Sequence, residues 1–238
     1  MDQKGAEYDY EASSYDVSRF HDGLGRFLDR VHKEIIVNFL YSEKMILDLG
    51  VGTGRLAIWL VENGFNVVGI DLSKEMIKRT RMKNSILSVN MPLILGDVHF
   101  LPFKKGVFDG CICINVMNHL SEINRVIKNV RYVIKSKGSF VVNFPNLQSP
   151  YLPVAIFINL RKRALFKGQI SSKWFTPKEI KLLLMKGGFK IKEVKGCAIA
   201  SPLPLNNKLF SIIKSVIFLS KDSKFKIFSG SLFIKAEP

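Results

Sequence analysis

The stretch Ile46–Gly54, ILDLGVGTG, limits the folds open to this chain more than any other. Apolar residues around Asp48 read as a buried strand, and Gly50, Gly52 and Gly54 follow at alternate positions. A helical pattern begins at once from Arg55 (RLAIWLVENG). A strand that turns sharply into a helix leaves backbone N–H groups pointing into the turn. Glycines let a ligand press on that backbone, because no Cβ blocks the approach and positive φ is allowed. The loop is therefore expected to hold a nucleotide-like ligand. The competing reading is a glycine turn that only packs a helix on a strand.

The spacing separates ligand classes. A dinucleotide fingerprint reads G-x-G-x-x-G, whereas this loop reads G-x-G-x-G. The tighter third glycine suits an adenosyl ligand without a pyrophosphate. Asp48, two residues before the first glycine, places negative charge that disfavours phosphate and favours an ammonium. On these residues the segment resembles motif I of the class I S-adenosylmethionine-dependent methyltransferases. The resemblance implies an α/β fold with a doubly wound seven-stranded sheet, order 3-2-1-4-5-7-6, last strand antiparallel. It also implies S-adenosyl-L-methionine as cofactor, with contacts from Asp48, Gly50, Gly52 and Gly54.

The chain of 238 residues is long enough for one α/β domain over 1–238. It is 47% hydrophobic and 24% charged, a globular balance. The first twenty residues are acidic and polar rather than a secretory signal, and no apolar run reaches the ~18–20 residues of a membrane span. Three cysteines form no even framework and no metal-ligand spacing. Cys111 and Cys113, two apart in an apolar strand, should face one side as small core residues in a reducing cytoplasm. Charge is uneven: residues 1–145 carry 19 basic and 16 acidic side chains, and residues 146–238 carry 17 and 4. That asymmetry points to an anionic partner on the C-terminal side, or to a solvated lysine-rich face.

Taken in order, residues 1–41 read as a polar arm with Tyr8, Tyr10 and Tyr15, then a helix with Leu28, Val31, Ile35, Phe39 and Leu40 on one face. The resemblance implies that N-terminal aromatic residues close over the ligand, and Tyr15 is a candidate catalytic residue on that ground. The run NVVGID, residues 66–71, reads as a continuous apolar strand covered on both faces. Asp71 stands at its carboxyl end, where open α/β sheets bind ligands and a carboxylate can accept both ribose hydroxyls. A dinucleotide fold would use the same residue, so Asp71 alone does not choose. Leu72 joins it as a cofactor contact, and Ser73 caps the next helix. The pattern G-D-x-x-x-L-P-F…F-D also matches the family. Through that resemblance, Asp97 accepts from the adenine amino group and Val98 offers a backbone N–H to the ring. The competing reading is ordinary Gly-Asp turn chemistry.

A fourth strand is expected over Gly110–Asn115, then VMNHL. The resemblance places the reactive centre beside this strand end. Asn115 would hold the methionyl part of the cofactor by backbone or side chain. His119 is a candidate catalytic base for a protonated nucleophile, with helix packing as the alternative role. The segment also partly resembles ubiquinone-type O-methyltransferases, where acids ahead of a histidine ligate a metal. Here Asn115 and Asn118 fill the acidic positions, so no metal is expected. Ser121 should cap a helix to Ile134, Gly138–Asn143 should form strand five, and Thr176-Pro-Lys-Glu179 reads as a capping box. Phe189–Cys197 and Lys226–Lys235 complete the expected strands.

Two apolar-plus-basic stretches, 147–175 and 199–225, fall outside the minimal fold and are expected to form helical lid insertions. They would give a hydrophobic pocket with a cationic rim, or a face for peripheral contact with an anionic membrane. A cap packed on the domain or on a second copy is the alternative. Strand four ends in NVMN, not in the Asn/Asp-Pro-Pro-aromatic tetrad of amino-group methylation, and no cysteine is placed for base methylation. The expectation is a cytoplasmic methyltransferase, at the membrane surface if the basic insertions bind there, acting on a small or lipid-like acceptor at O, N or C. An RNA methyltransferase rests on charge alone. A non-catalytic S-adenosylmethionine-binding protein is the third reading.

Overall fold

A computed structural model describes residues 3–21, 23–150, 152–153, 173–197, 226 and 229–238. Helices α1 (Gln3–Glu11), α2 (Tyr15–Phe20) and α3 (Gly23–Phe39) precede the sheet. Then β1 (Met45–Leu49), α4 (Arg55–Glu62), β2 (Asn66–Asp71), α5 (Lys74–Ile86) and β3 (Leu93–Leu95) alternate. The second half holds β4 (Phe108–Cys113), a 3-10 turn (Met117–His119), α6 (Ile123–Val133), β5 (Ile134–Pro145), α7 (Pro177–Lys186), β6 (Lys190–Cys197) and β7 (Ser231–Glu237).

Seven strands form one sheet in the order β3-β2-β1-β4-β5-β7-β6. The first five run parallel, and β7 is antiparallel to both β5 and β6. Parallel strands buried on both faces read as near-continuous apolar runs, as VVGI of β2 does, and Asp48 of β1 is the buried exception. Side chains of the two faces belong to two cores. One packs Leu47, Cys111, Cys113, Val142 and Phe144 against α6 and α7. The other packs Ile46, Ile112, Val141 and Phe233 against α3, α4 and Ile77 of α5. Cys111 and Cys113 share a face, as their spacing requires.

Local signals explain several boundaries. Ser73 accepts from the Met76 N–H at 3.1 Å and starts α5. Thr176 and Glu179 form the capping box of α7, with Pro177 at its first turn. Other expectations are corrected. The α6 N-cap is Glu122 rather than Ser121, and its side chain makes no capping bond. Leu120 is buried in extended conformation before it, which leaves Ser121 outside the helix. Strand β4 ends at Cys113, so Asn115 lies beyond it. Strand β5 starts at Ile134, not Gly138, because a register shift between Phe108 and Gly110 lets Ile134 pair with Phe108. At Gly138 a Cβ would lie 2.6 Å from the Asp109 carbonyl, so glycine permits that close strand approach. The last strand begins at Ser231 rather than Lys226.

The lid insertions expected at 147–175 and 199–225 lie outside the described residues apart from the ends of the first. Those ends are tied together. Leu147 N–H donates to the Phe175 carbonyl at 2.9 Å, and Phe175 N–H to the Pro145 carbonyl at 3.0 Å. Ser231, after the second insertion, pairs with Cys197, the last described residue before it. Asn146 N–H donates to the Gly230 carbonyl at 3.0 Å. Both insertions therefore leave and return beside the carboxyl end of β5. Among the described residues, no helix is long and apolar enough to cross a membrane.

Candidate functional site

Between β1 and α4 the chain turns through Gly50, Gly52 and Gly54 at φ +74°, +55° and +75°. The three glycines have different reasons. A Cβ on Gly50 would collide with the Val116 side chain, and one on Gly54 would lie 2.5 Å from Thr80 Cγ2. A Cβ on Gly52 would meet nothing nearer than the Gly50 carbonyl at 3.9 Å. Gly50 and Gly54 thus serve packing, and Gly52 borders open space. The loop's N–H groups are less free than the sequence suggests. Those of Gly50 and Val51 donate to the Ile70 carbonyl at 2.8 and 3.0 Å, and that of Gly54 to the Val51 carbonyl at 3.0 Å. A phosphate would find few donors here.

Carboxylates dominate instead. Asp71 Oδ2 accepts the Gly52 N–H at 2.7 Å and Oδ1 accepts the Ser73 N–H at 2.9 Å. The Leu72 backbone N–H bonds to the same carboxylate, so of its about four lone-pair sites roughly one remains for a ligand hydroxyl. Burial raises its pKa, and these N–H bonds pull it back. Asp48 is buried beneath the loop at 4% exposure. Burial, then repulsion from Asp71, pushes its pKa up to about 8. The fixed negative charge expected from the sequence is thus partly neutralised by a proton until a cation arrives.

The arm closes over this loop. Asp9 Oδ1 accepts from Ser73 Oγ at 2.5 Å and from the Glu75 N–H at 3.0 Å, at the start of α5. Asp16 accepts from Thr53 Oγ1 at 2.7 Å and from Lys83 Nζ at 2.6 Å. Gly5 lies against Leu72, whose side chain is otherwise half exposed. Of the arm's tyrosines, Tyr8 meets His119, edge to face with ring centroids 5.8 Å apart. Burial raises the Tyr8 pKa, as do Tyr15 and Asp71 to smaller extents, so its phenol stays protonated. Tyr15 instead lies under the Arg19 guanidinium, 4.0 Å from its ring centroid.

Along the sheet edge, Asp97 Oδ1 accepts both the backbone N–H of His99, at 2.8 Å, and its Nδ1, at 2.6 Å. Val98 is buried, and His99 Nε2 is buried without a hydrogen-bond partner among the described residues. Past β4, Asn115 takes φ +60°. Its N–H donates to Asn143 Oδ1 at 2.7 Å, and Asn143 Nδ2 donates back to Asn115 Oδ1 at 2.8 Å. The Asn115 side chain is thereby engaged within the protein. His119 ends the 3-10 turn, with Nε2 2.9 Å from Asn118 Nδ2. The structure therefore gathers Asp48, the glycines, Asp71 and Leu72 under the arm, and joins His119 to Tyr8. Asp9, Asp16, Thr80 and Asn143 were missed, because long-range hydrogen bonds leave no periodic trace. The arm's acids facing a helix start were the available signal.

The sequence profile of a methyltransferase domain matches residues 47–142. An uncharacterised protein of Methanocaldococcus jannaschii is 28% identical over 215 residues, 82% of this chain and 80% of that one. A ubiquinone/menaquinone biosynthesis C-methyltransferase of Wigglesworthia glossinidia brevipalpis is 29% identical over 137 residues, 54% of each chain, so this chain spans about half of that relative. Among solved structures, magnesium protoporphyrin IX methyltransferase from Synechocystis, with bound SAH, superposes with TM-score 0.66 at 19% identity, covering 99% of both chains.

Two outcomes follow from the loop. Gly50→Ala should cost about 2–5 kcal/mol, the sum of a left-handed alanine and a collision with Val116. Gly52→Ala should cost only about 1–2 kcal/mol, the backbone part alone, but weaken ligand binding at least tenfold. Urea unfolding and calorimetric titration separate the two. The pH dependence follows from Asp48. Its folded pKa lies above its unfolded value, so folding takes up a proton between the two. Stability of the free protein should fall as pH rises from about 5 to 8, and Asp48→Asn should remove that slope. A cationic ligand reverses the preference, so its stabilising effect should be larger at pH 8 than at pH 6. A flat profile in the wild type would contradict the assignment.

Proposed function

We propose that this chain is a class I S-adenosylmethionine-dependent methyltransferase that transfers the methyl group of its cofactor to a small hydrophobic or lipid-like acceptor at the carboxyl ends of β4 and β5. S-adenosylmethionine is the cofactor, and the chain's residues fit it. Gly52 borders open space, Asp71 keeps an acceptor site for the ribose, and Asp97 and Val98 are the proposed adenine contacts. Three carboxylates, Asp9, Asp48 and Asp71, interact with one another electrostatically and suit a ligand that carries an ammonium and a sulfonium.

The reaction asks little of the protein beyond placement. The sulfonium already activates the methyl group, and an acceptor nucleophile attacks in line with the departing thioether. Positioning and exclusion of water supply most of the acceleration, with a base needed only for a protonated nucleophile. The arm covers the cofactor loop, and Tyr8 lies between the surroundings of Asp71 and the His119 ring. His119 is the proposed base or positioning group for the acceptor, and Tyr8 takes the covering role expected of Tyr15.

The observation that carries the acceptor class is the anchoring of the insertions. Lys173 N–H donates to the Asn118 carbonyl at 2.9 Å, and Lys173 Nζ to the Leu120 carbonyl at 2.9 Å. The first insertion thus returns beside His119, and its sequence is PYLPVAIFINL followed by RKRALFK. An open hollow of about 630 Å³ adjoins this anchor, with Ile123, Phe175 and Leu183 as apolar lining, Lys128 and Lys173 as cations, and Arg125 paired with Glu122 at 3.5 Å. That combination suits an apolar acceptor bearing an anionic group. The quinone-pathway relative supports the same class, while O-, N- and C-methylation all remain compatible with the geometry.

The test is transfer of labelled methyl from S-adenosylmethionine into cell extract, then separation into organic, aqueous, nucleic-acid and protein fractions. Label should enter the organic fraction. Label in nucleic acid would overturn the acceptor class and assign the basic C-terminal half to phosphate binding. With the acceptor in hand, His119→Ala should lower kcat at least tenfold while cofactor affinity stays within threefold; unchanged turnover would leave His119 a packing role.

A further inference from the structure

We propose that Asn143, on β5, is a positioning residue for the cofactor: it clamps Asn115 in the left-handed conformation and, through Val116, sets the wall against which the glycine loop is built. Asn143 is 2% exposed, and the sequence alone reads it as the end of an apolar strand. Its amide is nevertheless fully used. Oδ1 accepts the Asn115 N–H at 2.7 Å, and Nδ2 donates to Asn115 Oδ1 at 2.8 Å and to Ser231 Oγ at 3.1 Å. Ser231 Oγ in turn donates to the Phe144 carbonyl at 3.2 Å. An amide with this set of partners has one orientation, because a flip would oppose donor to donor at the Asn115 N–H.

The clamp acts on a strained position. Asn115 is one of two non-glycine residues with positive φ among the described residues, at +60°. Asparagine tolerates this region better than most residues, but an extended conformation competes with it. Its neighbour Val116 packs so closely on Gly50 that a methyl group there would collide. The Val116 carbonyl also accepts the His119 N–H at 2.9 Å and so starts the turn that carries His119. Releasing Asn115 would swing Val116 relative to the loop and move this turn with it. Packing is not the reason for an amide at position 143, since a leucine of similar size would leave the Asn115 N–H without its acceptor. Ser231 extends the clamp to β7, the strand that follows the second insertion, so β5, β7 and the chain leaving β4 meet at one side chain.

The inference rests on S-adenosylmethionine as cofactor, which titration of the wild type verifies in the same experiment. The decisive comparison uses glycine, which adopts φ +60° without a clamp. Dissociation constants for S-adenosylmethionine are measured by calorimetry for wild type, Asn143→Ala, Asn115→Gly and the double variant, with melting temperature followed in parallel. Asn143→Ala should bind at least tenfold more weakly. Asn115→Gly sets the reference for a position that needs no clamp, and the double variant should bind within about threefold of Asn115→Gly even where its melting temperature does not recover. If Asn143→Ala does not fold, Ser231→Ala removes the far end of the clamp and should weaken binding severalfold, again rescued by Asn115→Gly. Wild-type affinity in Asn143→Ala, or a double variant at least tenfold weaker than Asn115→Gly, would overturn the proposal.

Discussion

The close approach of Val116 to Gly50 ties the two halves of the sheet to one another at the carboxyl ends of β1 and β4. Gly50 must lack a side chain so that the chain leaving β4 can pass beside the chain leaving β1. Once the two strand ends are that close, the loop has to turn through left-handed residues to reach α4, and only glycine does so at low cost. The end of β2 completes the frame. Ile70 takes two of the loop's N–H groups, Asp71 takes a third, and Thr80 Oγ1 of α5 donates to the Gly52 carbonyl at 2.7 Å. The geometry of the loop is therefore imposed by β2, β4 and α5 together, and Gly52 is left as the open face.

Electrostatics follows from the same arrangement. With its N–H groups engaged internally, the loop offers little to a phosphate. Asp48 and Asp71 repel one another and would favour a cation, and the arm adds Asp9, while Asp16 is paired with Lys83. Burial makes the free site costly: Asp48 holds a proton up to about pH 8. A cationic ligand would displace that proton, so its binding is expected to depend on pH through Asp48.

Much of this was legible in the sequence. The strand–glycine–helix unit, the buried strand ending in Asp71, the Ser73 cap and the Thr176 capping box are local patterns, and each stands where it was expected. The strand order came from the family resemblance rather than from periodicity, since parallel apolar runs do not announce their neighbours. Errors arose where tertiary contacts override local preference. Ile134 reads as the end of a helix but pairs with Phe108, and Ser121 has the chemistry of a cap but lies one residue too early. Asn143 looks like a polar interruption of a strand, and nothing in its neighbours reveals that Asn115, 28 residues away, needs its amide. Tyr8 and Tyr15 are equally plausible from composition; only the packing of α1 brings Tyr8 to His119.

The most direct test of the account is calorimetric titration of the wild-type protein with S-adenosylmethionine and with NAD, alongside thermal unfolding. The account predicts saturable binding of S-adenosylmethionine, a raised melting temperature and protons released on binding near pH 7, with NAD inert. Stabilisation by NAD alone would contradict it and return the glycine loop to a dinucleotide site.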